Sequence, residues 1–436
     1  MGLARDLGLA WRTGQRLIRS RLAQNRLGTE LTRRAPLQRG RYQIGVYFAD
    51  SPVNMYQLRQ WYKPLLDLSE RWPVLLLSRS PSGAEQLLRE APLPVAYVRR
   101  VAELERVLAE QPLKIVLYVN QNQRNFQMMR YGRRWHVFIN HGESDKMYMT
   151  TNQFKVYDYS LIAGQAARER LGRVLWDYDF DKRALMIGRP QADHYSGTLP
   201  YTPDERQVVL YAPTWEGDRP SAAYGSLASH GVALVEALLA TGTHRVLFRP
   251  HPRTGVVDPA HAAASRRIVE LLTAANAADP TAHHVHDTGP ELGWQLVAAD
   301  VAVVDISAMV YDRLASGKPL FVTRPVEPGA EIDEGGYLGA AEWLDASDAG
   351  NIVRRAAELV ADEGARARLA GWVEHYFGDV TPGATTARFS AAIEHLMTEW
   401  ERHAELHAGD GAAERIKGAG DRAGESLLSS DDGDED

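Results

Sequence analysis

The sequence contains no cysteine, which excludes disulfide bonds, thiolate nucleophiles and zinc sites built from thiolates. It also has no signal-peptide pattern and no apolar run near the roughly 20 residues that a membrane-spanning helix needs. We therefore expect a cytoplasmic protein. A Walker motif, a Gly-rich dinucleotide fingerprint, a His-Glu-x-x-His zinc helix and a Gly-x-Ser-x-Gly elbow are all absent. The common ATPase, dehydrogenase, metalloprotease and esterase interpretations are thus excluded.

The composition is that of a folded chain with an uneven charge distribution. Of 436 residues, 44% are hydrophobic and 24% are charged, which predicts two or three domains. The net charge of -6 conceals a basic start and an acidic end, since residues 1–41 carry ten Arg against two acidic residues, and residues 405–436 carry ten acidic residues against three basic ones. Because the body itself is mildly acidic, we expect no nucleic-acid partner. The Gly-rich tail 405–436 is predicted to be disordered.

The N-terminal arm, residues 1–40, has the pattern of a basic amphipathic helix. Apolar residues recur at steps of three and four, while arginines occupy the other faces. Members of the apolar stripe are Leu3, Leu7, Trp11, Ile18 and Leu22. One interpretation is a helix lying on an anionic membrane surface. The other is a helix that packs its leucines on the protein body, and the sequence leaves both open.

From Arg41 onward, short β-rich runs alternate with helical segments, which predicts parallel sheets covered on both faces. A Gly- and Pro-containing break at Asp193–Arg206 divides the series. We predict two doubly wound α/β domains, 41–195 and 206–400, with a helical segment over 349–403. Predicted strands are Tyr42–Phe48, Val74–Leu77, Leu113–Val119, Trp135–Ile139, Tyr159–Ala163, Ala184–Ile187, Gln207–Tyr211, Arg245–Phe248, His283–His286, Val301–Val304 and Pro319–Val322. Ligands of such sheets lie beyond the carboxyl ends of the strands, so a shared site is expected in the cleft between the domains.

Polar residues directly after the predicted strands are therefore the candidate site. In the first half, His141 follows an apolar strand with Gly142 beside it, and its near-neutral pKa range suits a general base. Lys146 could face phosphate oxygens. The alternative is a loop in which the histidine caps a backbone group.

In the second half, the strand-end residues have the chemistry of an anion pocket. Arg249, His251 and Arg253 lie on a turn stiffened by two prolines, which suits recognition of phosphate. Thr214 offers a hydroxyl after the preceding strand. Ser307 follows Asp305 at the start of a helix, whose N-terminus attracts anions, although an ordinary N-cap has the same appearance. Together these residues predict a diphosphate pocket.

The order of these motifs resembles the CDP-glycerol:poly(glycerol phosphate) glycerophosphotransferase family, which builds teichoic-acid-type polymers. The likeness extends over about residues 42–395. It is carried by His141-Gly142 with Lys146, Tyr211-Ala212-Pro213-Thr214, Arg249-Pro250-His251-Pro252, and Asp305-Ile306-Ser307 with Tyr311-Asp312.

The resemblance implies a GT-B fold, in which two Rossmann-like domains face each other across a cleft and a helical C-terminal segment follows. It implies a catalytic pair, His141 and His251, with His141 as the base. It further implies CDP-glycerol or a related CDP-polyol as donor, a polymeric or lipid-linked hydroxyl acceptor, no cofactor, no metal, and a location on the inner face of the membrane. Implied donor-binding residues are Thr214, Arg249, Arg253, Asp305 and Ser307. Implied acceptor-side residues are Gly142, Glu143, Ser144 and Lys146.

Three positions depart from the family pattern. Asn140 replaces a Trp, Glu143 replaces a Thr, and Ala308 replaces a second Ser. The acceptor and the exact donor therefore remain open. A glycosyltransferase of the same architecture that uses a nucleotide sugar is one alternative, and a non-catalytic module of polymer assembly at the membrane surface is another.

Overall fold

The structure is a computed structural model that describes residues 26–142, 151–290 and 292–408. The first 25 residues of the predicted basic arm lie outside the described residues. The same holds for Glu143, Ser144 and Lys146, and for the tail beyond residue 408. Predictions about those residues are not addressed by the structure.

The first sheet has seven strands in the order β3-β2-β1-β4-β5-β6-β7. Neighbouring strands from β1 to β6 pair in parallel, as expected for strands joined by helices. The central strands are buried along their whole length, which explains their unbroken apolar sequences. The strands are β1 Ile44–Phe48, β2 Val74–Ser78, β3 Val95–Tyr97, β4 Ile115–Tyr118, β5 Trp135–Phe138, β6 Tyr159–Ile162 and β7 Ala184–Met186.

The second sheet has six strands in the order β10-β9-β8-β11-β12-β13, and all pairings are parallel. Its two faces bury different residues, because successive side chains of a strand point to opposite faces. In β8, for example, Leu210 packs in one apolar cluster and Val209 packs in the other. The strands are β8 Gln207–Ala212, β9 His244–Phe248, β10 Val285–His286, β11 Val301–Val304, β12 Leu320–Thr323 and β13 Trp343–Leu344.

Helices connect the strands and form the C-terminal segment. A π-helical turn, Leu227–Gly231, precedes the first helix of the second half. The helices are α1 over residues 26–33, α2 Met55–Arg59, α3 Tyr62–Arg71, α4 Pro81–Glu90, α5 Val101–Glu110, α6 Phe126–Met129, α7 Gln165–Gly172, α8 Phe180–Arg183, α9 Val232–Leu239, α10 Pro259–Ala278, α11 Trp294–Ala298, α12 Ala308–Ala315, α13 Ile352–Ala361, α14 Glu363–Phe377 and α15 Ala384–Leu406.

The sequence predictions missed several features of this order. Strands β3 and β13 have only three and two residues, too few for an alternation to be recognised. Helix α4 was not predicted, although Ser80 caps it and Pro81 begins it. The segment between β1 and β2, which the sequence indicates as one helix over 55–70, forms two helices, α2 and α3, with the buried Trp61 between them.

The chain divides into two compact units, and their boundaries differ from a single division at the predicted linker Asp193–Arg206. The first unit contains residues up to His141, Lys155–Leu161, and the chain from Ser390, and the second contains Gly142–Phe154 and Ile162–Phe389. Within the first unit, the indole N–H of Trp135 donates to the carbonyl of Leu396 at 3.1 Å, and Lys114 pairs with Glu401 at 2.7 Å. These contacts explain why the end of α15 belongs to the first unit. The domain boundaries predicted from the sequence, 41–195 and 206–400, stay a prediction.

The described end of the N-terminal arm packs on the first unit. Leu27 of α1 is buried against Ala84 and Leu88 of α4, and Arg26 forms an ion pair with Glu85. The apolar stripe from Leu3 to Leu22 lies outside the described residues, so both interpretations of the arm stay predictions. In the part of the chain that the structure describes, no helix is both long and apolar enough to cross a membrane.

Candidate functional site

His141 lies just beyond strand β5 of the first unit, in a loop held by several backbone contacts. Asn140 adopts a left-handed conformation with φ of 56°, which asparagine tolerates better than most residues. Its side-chain oxygen accepts from the backbone N–H of His141 at 2.8 Å, and its carbonyl accepts from the indole of Trp61 at 2.5 Å. The turn that presents His141 is therefore fixed by residues of the same unit.

The imidazole of His141 is oriented by the carbonyl at the end of strand β4. Its Nδ1 lies 3.0 Å from the oxygen of Val119. Because a carbonyl can only accept, the neutral ring carries its proton on Nδ1 and its lone pair on Nε2. This is the tautomer that a general base needs at Nε2. The same contact is also expected if His141 only caps a backbone group. It is therefore compatible with both the general-base and the capping interpretation of His141.

His251 lies on the loop after β9 in the second unit, and its tautomer is the opposite one. The backbone N–H of Arg253 donates to Nδ1 of His251 at 3.1 Å. An amide can only donate, so the neutral ring carries its proton on Nε2. His251 is thus set to donate a hydrogen bond from Nε2. That property suits an oxygen of a phosphate group.

An aromatic ring not assigned a role from the sequence supports this loop. The ring of Trp215 stacks on His251 with a centroid distance of 6.4 Å, and the guanidinium of Arg253 lies 3.8 Å from the Trp215 centroid. A cation over an indole face is attracted by the ring electrons. Trp215 therefore joins the histidine and the arginine into one stacked group.

The side chain of Glu216 holds the chain that follows His251 and Arg253. Its carboxylate accepts three backbone N–H groups, from Val257 at 2.6 Å, Gly255 at 2.9 Å and Asp258 at 3.0 Å. Burial raises the pKa of Glu216, but these bonds outweigh burial and lower the pKa to about 2. The buried carboxylate thereby fixes the path of the chain between His251 and helix α10.

Arg249, predicted to bind the diphosphate, contacts the loop that follows strand β10. Its Nη1 forms an ion pair with the buried carboxylate of Asp287, and its Nη2 donates to the carbonyl of Gly289 at 3.1 Å. The amide of Gln295 also binds this carboxylate. These contacts tie the loops after β9 and β10 together, and the contact of Arg249 with phosphate stays a prediction.

Asp305 holds neighbouring loops through its buried carboxylate. Its carboxylate is completely buried and accepts from the backbone of Thr214 at 2.8 Å, the backbone of Ser226 at 3.0 Å and the hydroxyl of Thr323 at 2.5 Å. Burial raises the pKa of this carboxyl. Asp305 thereby holds the strand-end loop containing Thr214 in place, and its part in donor binding stays a prediction.

Ser307 is the N-cap of α12, as the sequence predicted for a helix start. Its hydroxyl accepts from the backbone N–H of Met309 at 3.2 Å and donates to the carbonyl of Asp305 at 3.2 Å. Helix α12 begins directly after strand β11, and the N–H groups of its first turn give that end of the helix a partial positive charge.

A buried ion pair that the sequence reasoning missed follows strand β7. Arg189 pairs with Asp312 of α12, and Tyr195 contacts both, at 3.0 Å from Nε of Arg189 and 3.4 Å from the Asp312 carboxylate. Burial raises the pKa of Asp312. A Cβ placed on Gly142 would lie 3.7 Å from Nη1 of Arg189. The arginine therefore links the residue after His141 to helix α12 within the second unit.

The second sheet brings most of the predicted donor-side residues to one edge. Thr214, the loop from Arg249 to Arg253, and Ser307 follow β8, β9 and β11, which are adjacent strands. Direct contacts join the first two loops through Trp215 and the first and third through Asp305. The assignment of each residue to donor or acceptor remains a prediction.

Comparison with known proteins identifies the fold. No protein-family model matches the sequence, and no curated protein matches it significantly. Among solved structures, the wall teichoic acid polymerase TagF has a TM-score of 0.53 at 14% identity, over 83% of this chain and 90% of that chain. A UDP-GlcNAc 2-epimerase from Neisseria meningitidis bound to UDP-GlcNAc has a TM-score of 0.54 at 14% identity, over 82% of this chain and 100% of that chain.

These similarities define the class of fold. The chain has the α/β architecture of GT-B proteins, with two parallel Rossmann-like sheets and a helical C-terminal part. The predicted fold class is confirmed. At this level of identity the similarity extends to the fold alone.

Proposed function

We propose that this protein is a transferase that moves glycerol phosphate from CDP-glycerol to a hydroxyl group of a cell-envelope glycopolymer or its lipid-linked precursor. The observation that carries the proposal is the pair of backbone contacts that assign opposite tautomers to the two histidines. His141 has its lone pair on Nε2, and His251 has its proton on Nε2. A phosphoryl transfer uses both, one to take the proton of the acceptor and one to stabilise charge on phosphate.

The proposed step is a displacement at phosphorus. The acceptor oxygen attacks the β-phosphorus of CDP-glycerol, and its proton passes to Nε2 of His141. The bond between the β-phosphorus and the bridging oxygen breaks, and CMP leaves with the electron pair. His251 donates from Nε2 to a phosphate oxygen, and the N-terminus of α12 with Arg253 balances the charge of the diphosphate.

The site supports this donor chemistry through rigid positioning. The loop that bears His251 and Arg253 is fixed by the Glu216 carboxylate and by the Arg249–Asp287 pair. Phosphoryl transfer depends mainly on such positioning and on electrostatics, since little covalent assistance is required. The membrane-face location expected from the sequence belongs to this proposal as well.

Nucleotide release tests the proposal directly. The full chain is incubated with CDP-glycerol and, separately, with UDP-GlcNAc, and the released nucleotide is measured. Release of CMP supports the proposal, whereas release of UDP alone contradicts it. His141→Ala and His251→Ala are expected to lower CMP release by a factor of roughly 100 or more, as for loss of a general base or a charge-stabilising donor. His395→Ala, at an exposed position of α15, is the matched control.

A glycosyltransferase that uses a nucleotide sugar is the second candidate. This candidate is supported by the similarity of the fold to a UDP-GlcNAc 2-epimerase as well as to TagF. A diphosphate at a helix N-terminus serves either donor. Thermal melts with CMP, CDP and UDP separate the two, because a nucleotide at 100 times its Kd adds about 2.7 kcal/mol to the free energy of unfolding.

A further inference from the structure

A network of side-chain hydrogen bonds connects the ends of strands β1 and β4 in the first unit. The carboxylate of Asp50 accepts from the amide of Asn54 at 2.7 Å and from the amide of Asn120 at 2.8 Å. The Asn120 amide also donates to the side-chain oxygen of Gln57 at 2.7 Å. These residues follow the two strands at their carboxyl ends, where ligands of parallel sheets bind.

The network ends at a tyrosine on the surface. The amide of Gln57 donates to the hydroxyl oxygen of Tyr56 at 3.3 Å. Gln57 is only 9% exposed, whereas Tyr56 is 51% exposed. A buried amide thus fixes the position of an exposed phenol, and because the phenol oxygen accepts this bond, its O–H can donate elsewhere.

Tyr56 lies against the proposed general base. Its ring is perpendicular to the ring of His141, with centroids 6.1 Å apart. The carbonyl that orients His141 belongs to Val119, directly before Asn120 of the network. The same strand end therefore positions the imidazole and the amide chain that holds Tyr56. A group bound on Tyr56 lies next to His141.

The chemistry of this surface selects a particular kind of ligand. An exposed aromatic ring packs against the C–H groups of a sugar or a polyol chain, and its O–H donates to a ligand oxygen. The Asp50 carboxylate has further lone pairs for hydroxyl donors, and its negative charge disfavours a phosphate group at the same place. An uncharged terminus rich in hydroxyl groups fits the aromatic ring, the phenol O–H and the carboxylate of this surface.

We infer that Tyr56, held in place by Gln57, Asn120 and Asp50, forms a subsite for the uncharged, polyhydroxylated end of the acceptor beside His141. The identification of this group as part of the acceptor rests on the proposed function, whereas the binding of a polyhydroxylated group at Tyr56 does not. In this assignment Tyr56 contacts the ligand, and Gln57 is a positioning residue that acts through Tyr56.

The first test measures binding and is independent of turnover. Saturation-transfer NMR is recorded with the full chain and two probes, ribitol and the methyl glycoside of N-acetylglucosamine, at concentrations up to tens of millimolar. We expect at least one probe to bind and Tyr56→Ala to weaken its binding about tenfold or more, in line with the loss of an aromatic contact and a hydrogen bond. Tyr62→Phe, which removes a phenol bonded to Glu90 on the neighbouring helix, is the control.

Two outcomes overturn the inference at this stage. One is equal binding of a probe to the wild type and to Tyr56→Ala. The other is the absence of binding of either probe to the wild type. Because Tyr56 is half exposed, its replacement leaves the core intact, and thermal melts of each variant check the fold.

The second test separates the subsite from the catalytic machinery. With CDP-glycerol as donor and ribitol or the glycoside as acceptor, Tyr56→Phe and Gln57→Met should raise the acceptor KM while kcat and the donor KM stay within about twofold, because the lost contacts involve the acceptor alone. Hydrolysis of the donor by water should persist in both variants. A fall in kcat with an unchanged acceptor KM contradicts the inference. Failure of the wild type to release CMP, with probe binding lost in Tyr56→Ala, contradicts the proposed function and leaves the subsite supported.

Discussion

Replacement of Glu216 by glutamine removes the charge that anchors the loop of His251 and Arg253. In the wild type, one carboxylate oxygen accepts from Val257 and Asp258, and the other accepts from Gly255. In Glu216→Gln the side-chain oxygen still accepts from one side, but an NH2 group now faces an N–H donor on the other. One backbone N–H loses its partner, and the remaining bonds lose their ionic character.

The magnitude follows from the pKa of Glu216. A folded-state pKa of about 2, against an ordinary value of 4.5, corresponds to about 2 to 3 kcal/mol of stabilisation at neutral pH, once solvent screening is allowed for. Since the pKa is lowered in the folded state, this contribution is complete above pH 4.5 and is lost as the pH falls toward 2. Glu216→Gln should therefore be less stable than the wild type at pH 7, and the difference should shrink in acid.

Hydrogen exchange locates the effect in the loop. Amides of Gly255, Val257 and Asp258 should exchange about ten times faster or more in Glu216→Gln at pH 7, because each 1.4 kcal/mol of local opening free energy is a factor of ten. Glu270→Gln, at an exposed position of α10, is the matched control. Unchanged exchange in this loop, together with a pH dependence of melting identical to that of the wild type, would refute the reasoning.

Three further predictions address the stacked group around Trp215, the buried pair of Arg189 and Asp312, and the N-terminal arm. Trp215→Leu removes the surface on which Arg253 and His251 stack and should raise the donor KM about tenfold with a smaller change in kcat, as measured by CMP release. Asp312→Asn removes the carboxylate that pairs with the buried Arg189 and should lower the free energy of unfolding by about 3 kcal/mol, as measured in urea, whereas a change below about 0.5 kcal/mol would show that the pair is not needed for stability. Binding to anionic vesicles should fall with salt and disappear in a chain that begins at Arg26, which keeps Leu27 in the core, and salt-independent binding would contradict the arm prediction.

The fold and the position of the candidate site residues at strand ends were predictable because both depend on local sequence signals. Apolar runs followed by Gly, Pro and polar residues mark strand ends, and the strand ends of a parallel sheet share one edge. His141, His251 and Ser307 were found in this way. Their placement at strand ends agrees with the structure.

The partners of the site residues were not predictable because they depend on distant contacts. Arg249 has the sequence context of a phosphate ligand, yet its partner Asp287 comes 38 residues later, on another loop. Glu216 gives no signal because its partners are backbone N–H groups, which every residue except proline has. The tautomers of the two histidines likewise depend on single backbone atoms of Val119 and Arg253.

The division of the first unit along the chain has a consequence for its synthesis. Its sheet is made early, but the part of α15 that packs on it, from Ser390, emerges from the ribosome only after the whole second unit. Until then Trp135 and Lys114 lack their partners Leu396 and Glu401. Parallel sheets already fold slowly because their strands are joined by long connections. A nascent chain stopped near the linker at Asp193–Arg206 should therefore hold an incomplete first unit that depends on chaperones until translation ends.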